Sequence, residues 1–150
     1  MIRLTRQADY GIVLMTCFAG HPDRALLNAR DVAAVTSLPL PTVSKVLKAL
    51  ARGGLLNSHR GVKGGYRLAR APRRITVAEI ITAVDGPIAV TECLDPGAAD
   101  CDIEPVCPCR TNWHRINQAV RDALAAIPLS KMGFSPPWQA ALTATGKTEV

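Results

Sequence analysis

A mainly α-helical fold with a small β-hairpin wing is the class this sequence predicts, on three observations. Two short stretches with apolar residues at helical spacing flank a tight break at Thr36-Ser37-Leu38. Two strand-like runs follow at once, divided by the glycine-rich turn Gly61-Val62-Lys63-Gly64-Gly65. A last helical stripe runs from about residue 112 to residue 127.

The elements follow in order. Thr5 is an N-cap residue type, and Ala8, Ile12, Met15 and Ala19 recur behind it until Gly20, His21 and Pro22 end the run. Asn28 caps a second helix carrying Val32, Ala33 and Val35. Pro39 and Pro41 suit the first turn of a third helix. Its Val43, Val46, Leu47 and Leu50 form an i, i+3, i+4, i+7 stripe, and Gly53-Gly54 stops it. Leu55 to Arg60 and Tyr66 to Leu68 read as paired strands. Thr76, with Glu79 three residues later, is a capping box opening a helix over Val77 to Val84. Residues 86–111 show no helical period. The final helix, from about Asn112 to Ile127, sets Trp113, Ile116, Val120, Ala123, Leu124 and Ile127 on one face. After Pro128 the pattern fades and Pro136 and Pro137 are adjacent, so a flexible tail is expected over 131–150.

A chain of 150 residues is one domain, or a small domain with an appendage, and is long enough to need no disulfide staple. Aromatics at 4% speak against a protein that stacks single-stranded bases on rings. The net charge of +6 is unevenly placed. Residues 1–74 hold 13 Lys or Arg against Asp9, Asp23 and Asp31, a balance of +10, whereas residues 75–150 hold 5 against 9 acids, a balance of −4. Two readings fit the basic half: an anionic partner, nucleic acid above all, or a plain solvated surface. The run Tyr10 to Ala19 behind Arg3 and Arg6 imitates a short signal peptide, but no A-x-A site follows and Asp9 interrupts it. It is also too short to span a bilayer. A cytoplasmic protein without membrane contact is therefore expected, in a compartment that keeps thiols reduced.

Two short helices, a tight turn between them and a hairpin with a glycine tip have the layout of a winged helix-turn-helix. The second helix of such a pair must show polar and cationic residues to a DNA groove while its apolar residues face the core. Thr42, Ser44, Lys45 and Lys48 fall between the apolar positions and can contact base edges or phosphates. The wing offers Arg60 and Lys63, and Gly64 and Gly65 let backbone approach phosphate closely. Taken singly, the turn also reads as an ordinary hairpin and the helix as a solvated face. In this order and spacing they predict binding to double-stranded DNA.

Cys93, Cys101, Cys107 and Cys109 fall in one stretch, TECLDPGAADCDIEPVCPC, rich in Pro, Gly and Asp. Cysteine usually packs as a small buried hydrophobe, and a polar loop gives it no such reason to be there. Thiolates are soft ligands for iron and zinc. Seven residues separate Cys93 from Cys101 and five separate Cys101 from Cys107, which leaves loop enough to wrap an iron–sulfur cluster. The close C-x₂₋₄-C pairs typical of zinc sites are absent. Cys17 sits in an apolar helix and reads as core. No Ser-His-Asp set, phosphate loop or carboxylate pair appears, and nothing singles out a nucleophilic cysteine beside His114, so neither an enzyme nor a small-molecule substrate is expected.

The segments RLTRQADYGIVLM, LPLPTVSKVLKALARGGLL and HRGVKGGYRLAR, followed by spaced cysteines and a long helix, resemble the IscR/NsrR-like family of winged-helix regulators over about residues 1–130. Within it the chain is most similar to regulators of the SUF iron–sulfur assembly system. The resemblance implies a homodimer on palindromic promoter DNA, with the long C-terminal helix as the dimerisation helix. It implies an iron–sulfur cluster (2Fe–2S or 4Fe–4S) on Cys93, Cys101 and Cys107 whose presence alters DNA affinity. The position where some members carry a ligating histidine holds Arg110, which cannot ligate. A residue on the partner's first helix serves in others, and Asp9 stands at that position. Asp9 also reads as an acid favoured by the helix dipole, and Cys109 and His114 are further candidates. The expected organisation is then a winged helix-turn-helix over 1–74, a helix, cluster loop and dimerisation helix over 75–130, and the tail over 131–150. The competing functions are a cluster-free thiol regulator answering oxidants or nitric oxide and a zinc-stabilised binding module.

Overall fold

The computed structural model describes residues 2–20, 26–98 and 101–133. Helix α1 spans Arg6–Ala19, α2 Ala29–Thr36 and α3 Leu40–Arg52. Strands β1 (Leu56–His59) and β2 (Gly65–Leu68) follow, then α4 (Val77–Asp85) and α5 (Arg110–Ala125). The helix starts lie where the capping residues put them. The Thr5 hydroxyl oxygen accepts from the Ala8 N–H at 3.1 Å, and the Asn28 side chain accepts from the Asp31 N–H at 2.9 Å. Thr76 and Glu79 form the reciprocal capping box at the head of α4. Each satisfies amide donors that a helix start leaves without intrahelical partners.

Ser37 closes α2 in the left-handed region at φ 56°, which turns the chain sharply into α3. On α3 the apolar stripe Val43, Val46, Leu47 and Leu50 is wholly buried. It meets Leu14, Met15 and Phe18 of α1, Val32 of α2, Leu55 and Leu56 at the start of the hairpin, and Ile80 of α4 in one core. Full burial of each such side chain stabilises the fold by about 1.5–3 kcal/mol. The two strands pair antiparallel, Leu56 opposite Leu68 and His59 opposite Gly65. Leu27 adds a separate antiparallel bridge to β2, exchanging both backbone hydrogen bonds with Tyr66 at 2.9 Å. The wing is thereby fastened to the residue that leads into α2.

A second, smaller core of Ala8, Val77 and Ile81 takes in Ile12, Ile88 and Leu124 and seats α5 on α1 and α4. Helix α5 starts at Arg110, two residues before the sequence expectation. Its inward line also differs from the expected stripe. Trp113, Asn117, Val120 and Leu124 face the body, while Ala123 is exposed and Ile116 and Ile127 keep 43% and 40% of their surface. A short 3₁₀ turn, Leu129–Lys131, returns the chain to the main core through fully buried Leu129, whose N–H donates to the Ile75 carbonyl at 2.7 Å. The composition after Pro128 does not announce this turn. From residue 134 on, the expected flexible tail lies outside the described residues, as do His21 and Pro22.

Candidate nucleic-acid interface and thiol loop

The side chains expected to read DNA lie on two adjoining elements. On α3, Lys45 and Lys48 are exposed and Thr42 and Ser44 half-buried, on faces that the core stripe leaves open. No acid interrupts α3. Arg60 and Lys63 stand exposed at the wing, whose tip residue Val62 is 107% exposed. Arg67, across the ladder from Asn57, adds a cation that inspection of the turn alone missed.

Gly64 and Gly65 have a role beyond the one read from sequence. A Cβ on Gly65 would lie 2.8 Å from the Leu27 carbonyl oxygen, and one on Gly64 would lie 2.3 Å from that of His59. Both distances are too short for a side chain, so backbone crowding within the wing is itself enough to require glycine at both positions.

The thiol loop leaves α4 at Gly86 and runs to the start of α5. Two 3₁₀ turns punctuate it, Glu92–Leu94 around Cys93 and Glu104–Val106 just before Cys107. Cys93, Cys101 and Cys107 are free and half-buried, and Cys109 is exposed at the N-cap of α5. The Cys93 thiol and the Thr91 hydroxyl are hydrogen-bonded at 3.2 Å. Arg110 pairs with Glu104 at 3.0 Å, fixing the last turn of the loop against α5. Asp9 is exposed in the first turn of α1 and His114 is exposed on α5. Cys17 is buried, its thiol donating to the Val13 carbonyl at 3.4 Å, and burial pushes its pKa up to about 12, outweighing a hydrogen bond from its own backbone. It is the inert thiol of the set.

As a donor set the three loop thiols fit a thiolate-ligated group: they are soft, reduced and within reach of solvent. Among the described residues no three His, Cys, Asp or Glu side chains converge into a metal-binding group.

Sequence reading missed Asn117. It is the one buried polar side chain among the described residues, and it hydrogen-bonds the backbone of both Ile88 and Val90. An open groove of about 630 Å³ lies between the end of α3, α4 and α5, with Arg52, Glu79, Arg121 and Asp122 on its walls. Its lining includes no thiol-loop cysteine. No helix among the described residues is long and apolar enough to cross a membrane.

Comparison with known proteins places these features in a family. Residues 4–133 match the family described as Rrf2, iron-dependent transcriptional regulator. The HTH-type transcriptional regulator IscR of Xenorhabdus nematophila is 29% identical over 131 residues, covering 87% of this chain and 79% of the relative. The HTH-type transcriptional regulator NsrR of Geobacillus kaustophilus is 25% identical over 131 residues, covering 87% of this chain and 89% of the relative. Among solved structures, CymR, the global cysteine regulator of B. subtilis, superposes with a TM-score of 0.67 at 28% identity, covering 88% of this chain and 96% of that one. A capped helix-turn-helix, a wing tied to its entry, and a match running through the thiol loop and α5 lead to one conclusion: this chain belongs to the Rrf2 family, and is a DNA-binding transcriptional regulator rather than an enzyme.

Proposed function

We propose that the chain is a cytoplasmic, homodimeric regulator whose hold on palindromic promoter DNA answers to an iron–sulfur cluster, with iron–sulfur assembly (SUF) genes as its targets. The observation that carries this is the placement of three free, half-buried thiols on one loop that α5 holds at both ends, in a chain whose head is a winged helix-turn-helix. Cys93, Cys101 and Cys107 are the cysteine ligands, and Asp9, exposed on α1, is the fourth, donated across the dimer. When bound, an iron–sulfur cluster supplies redox and ligand-exchange chemistry that oxidants reach. Thr42, Ser44, Lys45 and Lys48 face the major groove, and Arg60, Lys63 and the wing backbone face phosphate. Repression follows where the operator overlaps a promoter.

The dimer rests on α5. Ile116 and Ala123 on α5, with Ile127 just past its end, are apolar positions that the cores of the described residues leave uncovered. A second copy related by a two-fold axis would cover them and would set two α3 helices on half-sites about 34–36 Å apart.

A second reading has its own support. Because the thiols do not converge among the described residues, a cluster-free switch built on reversible thiol oxidation also suits the loop. Iron and acid-labile sulfide, measured on protein purified without oxygen, separate the two. Iron with equivalent sulfide, lost in Cys101→Ser, is expected. Iron-free protein whose loop thiols oxidise reversibly would favour the switch, and stoichiometric zinc would favour a structural site.

A further inference from the structure

Asn117 stands on the inward line of α5, one turn after Trp113 and one turn before Val120. Its side-chain nitrogen donates to the Ile88 carbonyl at 3.0 Å, and its side-chain oxygen accepts from the Val90 N–H at 3.1 Å. The pair of contacts needs a donor and an acceptor on one planar group, which Asn has and neither an ionised Asp nor Leu has. Val90 lies three residues ahead of Cys93. At its other end the loop passes Cys107 and enters α5, with Cys109 as the N-cap. One helix therefore holds both ends of the thiol loop, by chain continuity at Arg110 and by the Asn117 amide at Val90. The two points are about 10 Å apart along the helix.

We infer that Asn117 is a positioning residue that makes α5 follow the state of the thiol loop. The inference rests on the functional reading above, in which the loop is the part that changes. Gathering Cys93, Cys101 and Cys107 around one centre shortens the path of the loop. Its far end is fixed at Cys109. Its near end moves only by carrying Asn117 along or by breaking both hydrogen bonds, and the second route leaves a buried amide unpaired, which is costly. The movement does not stop at the loop. Ile88 packs in the small core with Ala8 of α1 and Val77 of α4, so a shift at 88–90 bears on the seat of the DNA-reading head as well as on α5.

The test compares wild type with N117L, which fills the site without hydrogen bonds, and with N117D, which keeps the shape but lacks the donor. N117D is read the same way should N117L fail to fold. Amide hydrogen exchange is followed in the apo protein and after anaerobic loading with ferrous iron and sulfide. In apo N117L, exchange at Val90 is expected to be about tenfold faster than in wild type, the worth of about one net hydrogen bond. In wild type, loading changes protection over residues 110–117. In the variants that change is absent although iron and sulfide uptake is equal to wild type. A purely structural Asn117 would lower stability and leave the response of α5 to loading intact, and that result overturns the inference. If wild type takes up no iron, it is the reading of the thiol site that fails. The same comparison with the loop thiols capped by N-ethylmaleimide then decides the role of Asn117 by the same criterion.

Discussion

Glu79 and Arg70 form an ion pair, Oε1 to Nη2 at 2.8 Å, that ties the exit of the wing to the first turn of α4. The other Glu79 oxygen accepts from the Thr76 N–H at 2.8 Å, and Arg70 donates from Nη1 to the Arg74 carbonyl at 3.0 Å. A single carboxylate thus caps α4 and pins the turn that positions the wing.

The pair gives folding stability a pH signature. Burial works to raise the Glu79 pKa, but hydrogen bonds from Arg70 and Thr76 and the charge of Arg70 outweigh it and hold the carboxyl below its ordinary value of 4.5. A carboxyl depressed in the folded state stabilises the fold above its unfolded value and loses that contribution as pH falls through the lower, folded one. E79Q keeps an acceptor for the cap and loses the charge of a partly exposed pair, so it is expected to lower stability by about 0.5 kcal/mol near neutral pH. The gap between E79Q and wild type should close as pH falls below 4.5. Urea denaturation across that range checks it, and a gap independent of pH would show that the charge contributes nothing.

Gly65 and Lys63 are two residues apart and are expected to fail in different ways. G65A places a Cβ against the Leu27 backbone and should destabilise the protein by about 1–3 kcal/mol. K63A touches no packed group and should leave stability within about 0.5 kcal/mol. It should weaken operator binding for all sequences and reduce the salt slope of log K by about one. Melting curves beside binding isotherms at several salt concentrations separate the effects. K63A with an unchanged slope would remove Lys63 from the phosphate contacts.

Thiol labelling has a sharp expectation. With its pKa pushed up to about 12 and its side chain buried, Cys17 should resist a thiol reagent in the native apo protein while the four loop cysteines react. Denaturant should release it. Peptide mapping after labelling is the check, and fast native modification of Cys17 would mean that α1 opens far more readily than its packing implies.

Much of the fold was legible because its signals are local. Thr5, Asn28 and the Thr76–Glu79 pair each start a helix within three residues of themselves, and the α3 stripe declares its own core face. What was not legible depends on residues far apart in the chain. Apolar periodicity favoured Ile116 over Asn117 on α5, because the reason Asn117 turns inward is the backbone at Ile88 and Val90, which no helical pattern contains. Gly64 and Gly65 read as phosphate-approach residues, yet Leu27 and His59 already require their lack of a side chain. The cysteine spacing pointed to a ligand loop, but among the described residues the three thiols do not converge, and spacing along the chain carries no information on that.

Operator affinity of protein purified without oxygen tests whether iron held by the loop thiols governs DNA binding. A duplex selected from a random-sequence pool is titrated with wild type before and after iron removal, and with a variant in which Cys93, Cys101 and Cys107 are all serine. A coloured, iron-bearing wild type is expected, with an affinity that shifts at least tenfold on iron removal, beside a serine variant that is colourless and fixed at the iron-free affinity. Equal affinity in all three samples would contradict control by iron.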